Sequence, residues 1–115
     1  MIKVSIKKSD SRRWLRLKVV GHAEQAEEGQ DIVCASASIL TYTVAQIVSD
    51  MATRGQLEGN PVISLNKGLA TVTCVCKNYE SYYEACSAYN VANIGYALLA
   101  HNYPQNVELE TVIRE

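Results

Sequence analysis

The sequence predicts an α+β fold, a mostly antiparallel sheet with two helices packed on it. Several short stretches alternate apolar and polar residues, which is the pattern of half-buried strands. Two longer stretches carry apolar residues at alternating spacings of three and four, which is the pattern of amphipathic helices. Along the chain these patterns give the order β-β-α-β-β-α-β. The 115 residues are enough for one domain, residues 1–115, with a buried core.

A hairpin is predicted at the start of the chain. Its strands cover residues 2–7 and 15–19, and a Ser-Asp-Ser cluster between them favours a turn. Trp14 shares a face with Arg16 and Lys18, so we expect it to cover a sheet edge or a partner.

The first helix is predicted from Ile32 to about Arg54, with Gly55 as its C-terminal stop. One apolar stripe runs along it: Val33, Ala37, Leu40, Val44, Ile47 and Met51. Cys34 lies beside this stripe, where a side chain can face a groove at the start of the helix.

A second hairpin is predicted over residues 62–77, turning at Lys67-Gly68. The second helix follows, capped by Asn78 or by a capping box of Ser81 and Glu84, and it ends before Pro104. Within it, Gly95 indicates the close approach of another backbone. The last strand is predicted over 107–111.

The segment between the second strand and the first helix carries the candidate chemistry. His22 ends the strand side, Asp31 is predicted to be the N-cap of the helix, and Cys34 then takes the third helical position. A thiol at the start of a helix gains thiolate character from the helix dipole, and an imidazolium partner strengthens that effect. Capping is the main role predicted for Asp31, and orienting His22 is the alternative.

This segment resembles the ribosomal-processing cysteine protease family, Prp. The similarity lies in Gly21-His22-Ala23, a loop closed by Gly29, and Asp31-Ile32-Val33-Cys34-Ala35, and it extends to Ser38. Ser36 and the acidic residues of the loop (Glu24, Glu27 and Glu28) depart from the family pattern.

The resemblance implies a thiol protease with Cys34 as nucleophile and His22 as general base and acid. The supporting residues are Gly21, Gly29, Asp31 and Ser38. The two glycines either allow the loop over residues 21–30 to move over substrate or simply form turns. The N–H groups at the start of the helix, including that of Cys34, are the expected donors to the oxyanion.

Composition limits the partners. A net charge of −1 argues against binding nucleic acid by bulk electrostatics, and no apolar run approaches the roughly 20 residues of a membrane helix. Without a signal-like start the protein is expected to be cytoplasmic, with free thiols. Cys74, Cys76 and Cys86 are assigned to the core, and no metal or cofactor is expected. The seven tyrosines are expected in the core or at a dimer surface.

The resemblance further implies a homodimer that removes an N-terminal extension from a large-subunit ribosomal protein. Two alternatives stay open. One is a noncatalytic ribosome- or protein-binding module with a buried cysteine, and the other is a homologous protease acting on a viral capsid-type substrate.

Overall fold

Alternating apolar residues build the sheet, and the two periodic stretches build the helices that cover it. The computed structural model describes residues 1–21, 30–110 and 112–115, and it describes only the backbone of Gln30 and Asp31. The elements are β1 (Ile2–Ser9), β2 (Trp14–Val20), α1 (Gln30–Thr53), β3 (Val62–Asn66), β4 (Leu69–Val75), α2 (Tyr79–Asn102), β5 (Val107–Leu109) and β6 (Ile113–Arg114). The predicted order is confirmed, with the short β6 as an addition.

The strands form one mixed sheet in the order β3-β4-β2-β1-β5, and β6 also pairs with β1. The pairs β1–β2, β2–β4 and β3–β4 are antiparallel. By contrast, β5 and β6 run parallel to β1, because α2 carries the chain back across the sheet before they begin.

The core lies between the helices and one face of the sheet. Val4, Leu17 and Val72 are fully buried on the three central strands, where every second side chain points to the helices. Helix α2 contributes the three largest fully buried side chains of the described residues: Tyr82, Tyr89 and Tyr96. Three of the seven tyrosines are therefore core residues. Neither described helix covers the opposite face, which carries lysines, arginines and hydroxyl residues together with several apolar side chains: Trp14, Val20, Val62, Leu69, Val75 and Ile113.

α1 begins two residues earlier than predicted, at Gln30. Asp31 therefore lies inside the first turn and is not the N-cap, so that prediction is wrong. An acidic residue is favourable there too, because the positive end of the helix dipole extends over the whole first turn.

α2 is capped by Asn78, one of the two predicted caps. The Oδ1 of Asn78 accepts a hydrogen bond of 2.8 Å from the N–H of Ser81. The capping box predicted for Ser81 and Glu84 does not form. The Glu84 carboxylate instead accepts a 2.6 Å hydrogen bond from Gln56 Nε2 at the end of α1.

Gly95 does make a close contact, but with a side chain rather than a backbone. A Cβ built on Gly95 would lie 2.7 Å from Cδ2 of Leu40. The missing side chain therefore makes room for the leucine and lets α1 and α2 pack together.

The prediction that no apolar run approaches the length of a membrane helix is wrong for α1. Its 22 residues Ile32–Thr53 have a mean hydropathy of 1.6, so by length and composition they could cross a membrane. One side of the helix packs into the core, where Val44, Val48 and Met51 are at most 1 % exposed, whereas Ile32, Ile39 and Tyr42 are exposed apolar residues of the same helix.

Candidate active site

Cys34 opens into a cleft of about 280 Å³ at one end of the sheet. It is half-buried and is the fifth residue of α1. Ser38 and Tyr42 follow it at intervals of four residues, so the three side chains form one wall of the cleft. A nucleophile on the wall of a cleft can reach a bound substrate without unfolding of its surroundings.

The turn between β3 and β4 forms the opposite wall, with Leu65, Asn66, Lys67 and Leu69 among its lining residues. Leu65 and Leu69 are 44 % and 43 % exposed, although both are large apolar residues. Exposed apolar side chains on the wall of a cleft are typical of a surface that binds a ligand.

Gly21 lies at the end of β2 and also lines the cleft. Its φ is +98°, and a Cβ at this position would collide with the backbone carbonyl of Met1. Its N–H donates a 2.9 Å hydrogen bond to the carbonyl of Gly68 in the β3–β4 turn. A glycine is therefore required at position 21, because the Met1 carbonyl leaves no room for a side chain. The hydrogen bond to Gly68 links the end of β2 to the opposite wall of the cleft.

His22 follows Gly21 directly, and both His22 and Gly29 lie outside the described residues. The predicted pairing of His22 with Cys34 and the hinge proposed at Gly29 stay predictions. The Asp31 side chain is also outside the described residues, so its alternative role in orienting His22 is untested.

The earlier start of α1 changes the backbone around Cys34. Only the first four N–H groups of a helix lack an intrahelical acceptor. Because Cys34 is the fifth residue of α1, its own N–H falls within the intrahelical ladder. The prediction that this N–H is free for an oxyanion is therefore wrong, and within the described residues the groups at residues 30–32 are the ones left.

The other three cysteines are poorly placed for catalysis. Cys74 and Cys76 are at most 2 % exposed, as their assignment to the core predicts. A hydrogen bond between these two thiols raises the pKa of Cys76 and lowers the pKa of Cys74. Burial raises the pKa of Cys76 further. Burial also raises the pKa of Cys86, which is half-buried on α2. None of the three lines the cleft.

The described residues contain no group of three or more His, Cys, Asp or Glu side chains that could hold a metal ion.

Comparison with known proteins decides the family. Residues 1–108 match the family model described as cysteine protease Prp. The chain belongs to the Prp family of cysteine proteases. Of the four cysteines in this chain, Cys34 is the one that lines the cleft.

Solved structures agree with the fold of a Prp family member. The ribosomal processing protease Prp from S. aureus in complex with a substrate peptide matches with a TM-score of 0.68, 21% identity and complete coverage of both chains. The same protease with a covalently linked product peptide matches at 0.68 and 23% identity, again over both complete chains. SMU.848 from Streptococcus mutans gives 0.70 and 19% identity, covering 100% of this chain and 96% of that one. Comparison with curated proteins gave no significant match.

Two parts of this Prp-type cleft were missed in the sequence. Tyr42 was detectable, because it lies eight residues, about two turns, after Cys34 on the same side of a helix. The β3–β4 turn was not detectable, because its position beside Cys34 depends on the order of strands in the sheet.

Beneath the cleft, the Tyr96 hydroxyl lies 2.6 Å from Thr41 Oγ1, which donates a 2.8 Å hydrogen bond to the carbonyl of Ala37.

Proposed function

We propose that this protein is an endopeptidase that removes an N-terminal extension from a large-subunit ribosomal protein, with Cys34 as nucleophile. The observation that carries the assignment is the position of Cys34 on the wall of a cleft in a cysteine protease family. The substrate class is supported by the S. aureus relative, a ribosomal processing protease solved with a substrate peptide and with a covalently linked product peptide.

The proposed reaction proceeds through a thioester. The Cys34 thiol loses its proton to His22, and the sulfur attacks the carbonyl carbon of the scissile peptide bond. His22 then donates that proton to the departing amine, which leaves as the C-terminal product. Water, deprotonated by His22, attacks the thioester, releases the N-terminal product as a carboxylic acid and restores the thiol.

Negative charge develops on the carbonyl oxygen during both attacks. The N–H groups of residues 30–32 have no intrahelical acceptor, so they are the donors in α1 that suit this charge. Cys34 lies two positions after the last of these residues, so the nucleophile and the donors are at the same end of the helix.

The substrate is proposed to bind as an extended segment between α1 and the β3–β4 turn. Tyr42, Leu65 and Leu69 are 52 %, 44 % and 43 % exposed and line this space, so apolar side chains on both sides of the scissile bond have partners there. An extended chain is required because a folded one would bury its scissile carbonyl.

Cleavage of purified ribosomal-protein precursors, followed by mass spectrometry, tests the function. Cys34→Ala and His22→Ala are each expected to lower kcat by roughly 10³-fold or more, since both remove a group that acts in the transition state. Cys86→Ala is the matched control and should retain full activity, because Cys86 does not line the cleft. Full activity of Cys34→Ala would reject Cys34 as the nucleophile, whereas absence of cleavage by the unmodified protein would favour a noncatalytic binding module. Cleavage of a capsid protein but of no ribosomal precursor would reject the substrate class.

The protein is further proposed to be a cytoplasmic homodimer. The tyrosines first invoked for a dimer surface include three that are buried, and Leu40 occupies the space at Gly95. A different surface supports association: Val91, Ile94 and Leu98 are 68 %, 62 % and 58 % exposed along one side of α2.

Light scattering at micromolar concentration is expected to give twice the mass of the chain, and Ile94→Asp is expected to give the monomer mass. A monomer for the unmodified protein would contradict the proposed dimer.

A further inference from the structure

The small net charge of this protein conceals a strong separation of charge along the chain. Residues 1–20 contain seven lysines and arginines and one aspartate, a net charge of +6, so the remaining residues carry −7. The expectation that the protein does not bind nucleic acid rests on the whole-chain average. A binding surface depends on local charge, which has to be followed residue by residue in the fold.

Three charged side chains of the β1–β2 hairpin either contact other parts of the molecule or lie on the helix side of the sheet. The Asp10 carboxylate accepts a 2.6 Å hydrogen bond from the hydroxyl of Tyr82 on α2. Arg13 donates from Nε to the carbonyl of Cys76 at 2.9 Å and lies 3.6 Å from the carboxylate of Glu58. Lys8 pairs with Leu15, which is buried on the helix side of the sheet.

The remaining cations of the hairpin lie on the sheet face that no helix covers. We call this the open face, and its basic residues are Lys3, Lys7, Arg12, Arg16 and Lys18. Two carboxylates accompany them: Glu108 pairs with Lys3 across the strands, and Glu115 lies 2.7 Å from Arg12. The neighbouring strands β3 and β4 carry no charged side chain on either face. These five cations and two carboxylates together have a net charge of +3.

The arrangement of these cations is unfavourable for folding. Lys7 lies directly opposite Arg16 in the antiparallel pair β1–β2. Like charges at directly opposed positions destabilise a sheet. A bound anion would turn this repulsion into attraction, which gives a physical reason for cations at both positions.

Trp14 adds an aromatic group to the same surface. It is half-buried, and the guanidinium carbons of Arg12 and Arg16 lie 5.3 Å and 5.7 Å from its ring centroid. Planar indole and guanidinium groups both stack on nucleobases. On β4, Thr73 pairs with Arg16 and Thr71 pairs with Lys18, so hydroxyl groups adjoin the basic side chains.

We propose that the open face binds single-stranded RNA, with the phosphates contacting the lysines and arginines and a base stacking at Trp14. A single strand fits a flat sheet face because its backbone can follow the cations while its bases turn towards the aromatic group. Two open faces cannot pack against each other, because two surfaces of +3 would repel. An acidic peptide would satisfy the charges but would leave the stacked Trp14 and guanidinium groups without a planar ligand.

The single tryptophan makes the proposal directly measurable. Because Trp14 is the only tryptophan in the sequence, all indole fluorescence reports on the open face. Titration with a uridine 12-mer at low salt is expected to quench this fluorescence to saturation. The logarithm of the binding constant should fall with the logarithm of the salt concentration with a slope of about −0.7 per neutralised phosphate.

Variants locate the surface. Arg16→Gln combined with Lys18→Gln should weaken binding of a labelled 12-mer, measured by anisotropy, by about 10-fold and reduce the salt slope by about 1.4. Trp14→Ala should weaken binding by roughly 5-fold or more and leave the salt slope unchanged. Arg54→Gln is the matched control, since Arg54 pairs with Glu84 of α2 at 3.7 Å and is remote from the open face. None of these residues lines the cleft, so peptide cleavage should continue at its normal rate in every variant.

Three results would overturn the proposal. The first is no binding of the 12-mer at 50 mM salt, or binding without a change in indole fluorescence. The second is equal loss of affinity in the Arg54→Gln control. The third is a polyglutamate peptide that binds more tightly than the 12-mer, which would assign the open face to an acidic protein partner. Failure of RNA binding would leave the protease assignment unaffected, because cleavage is measured separately.

Discussion

Replacing Gly21 by alanine should destabilise the protein strongly, although it adds only one methyl group. The added Cβ would meet the backbone carbonyl of Met1, which cannot rotate away as a side chain can. Gly21 also has a φ of +98°, a value that L-residues rarely adopt.

The chain provides a control that separates these two effects. Gly59 has a φ of +71°, but a Cβ there would meet nothing within 4 Å. Gly59→Ala therefore includes only the conformational cost, roughly 1–2 kcal/mol, reduced by about 0.4–1 kcal/mol because alanine restricts the unfolded chain. Gly21→Ala adds an overlap with fixed backbone, for which overpacking values of about 1–3 kcal/mol apply.

The difference between the two variants should thus be about 2 kcal/mol, or roughly 8 °C in Tm for a domain of this size. Urea unfolding of both variants, followed by circular dichroism, measures it. Equal free energies of unfolding for Gly21→Ala and Gly59→Ala would refute the close approach of Gly21 to Met1. Gly21→Ala should also lower peptide cleavage, because relieving the overlap moves the strand end that lines the cleft and precedes His22.

Three further predictions concern the core, the thiol and the loop. Thr41→Val should cost about 1–3 kcal/mol because it leaves the buried Tyr96 hydroxyl without its acceptor, whereas Tyr96→Phe should cost about 1 kcal/mol. The double variant should lose less than the sum of the two in urea unfolding, and strictly additive losses would show that the two hydroxyls are not coupled. Cys34 should be the first thiol alkylated under native conditions, as judged by peptide mapping, and preferential labelling of Cys86 would reject it as nucleophile. Gly29→Val should lower turnover far more than stability if Gly29 acts as a hinge, and unchanged turnover would identify the loop as a connector.

The sequence alone was sufficient for the order of elements, because that order depends on local periodicity. Alternation over β1 and β2 and the stripes of α1 and α2 specify each element from its own residues, whatever the rest of the chain does. The same local information identified the candidate nucleophile, since a Gly-His pair and the Asp-Ile-Val-Cys segment lie within one short stretch.

Helix ends were less well determined because several residues near an end can serve as the cap. For α2 the sequence offered Asn78 and Ser81, and the structure has Asn78 as the acceptor. For α1 the sequence favoured Asp31, yet the helix begins at Gln30, because an acidic residue is also stable within the first turn. A shift of two residues then moved the N–H of Cys34 from the free groups into the intrahelical ladder.

Only the tertiary structure decided what faces Cys34 and where the charges of the first hairpin lie. The β3–β4 turn becomes a wall of the cleft because β4 pairs with β2, which brings residues about thirty positions from Cys34 against α1. Such a contact depends on strand pairing between distant segments, which no local pattern encodes. The open face likewise exists because both helices pack on one side of the sheet. Composition averages over the whole molecule, whereas the fold places the cations of one hairpin on a single uncovered face.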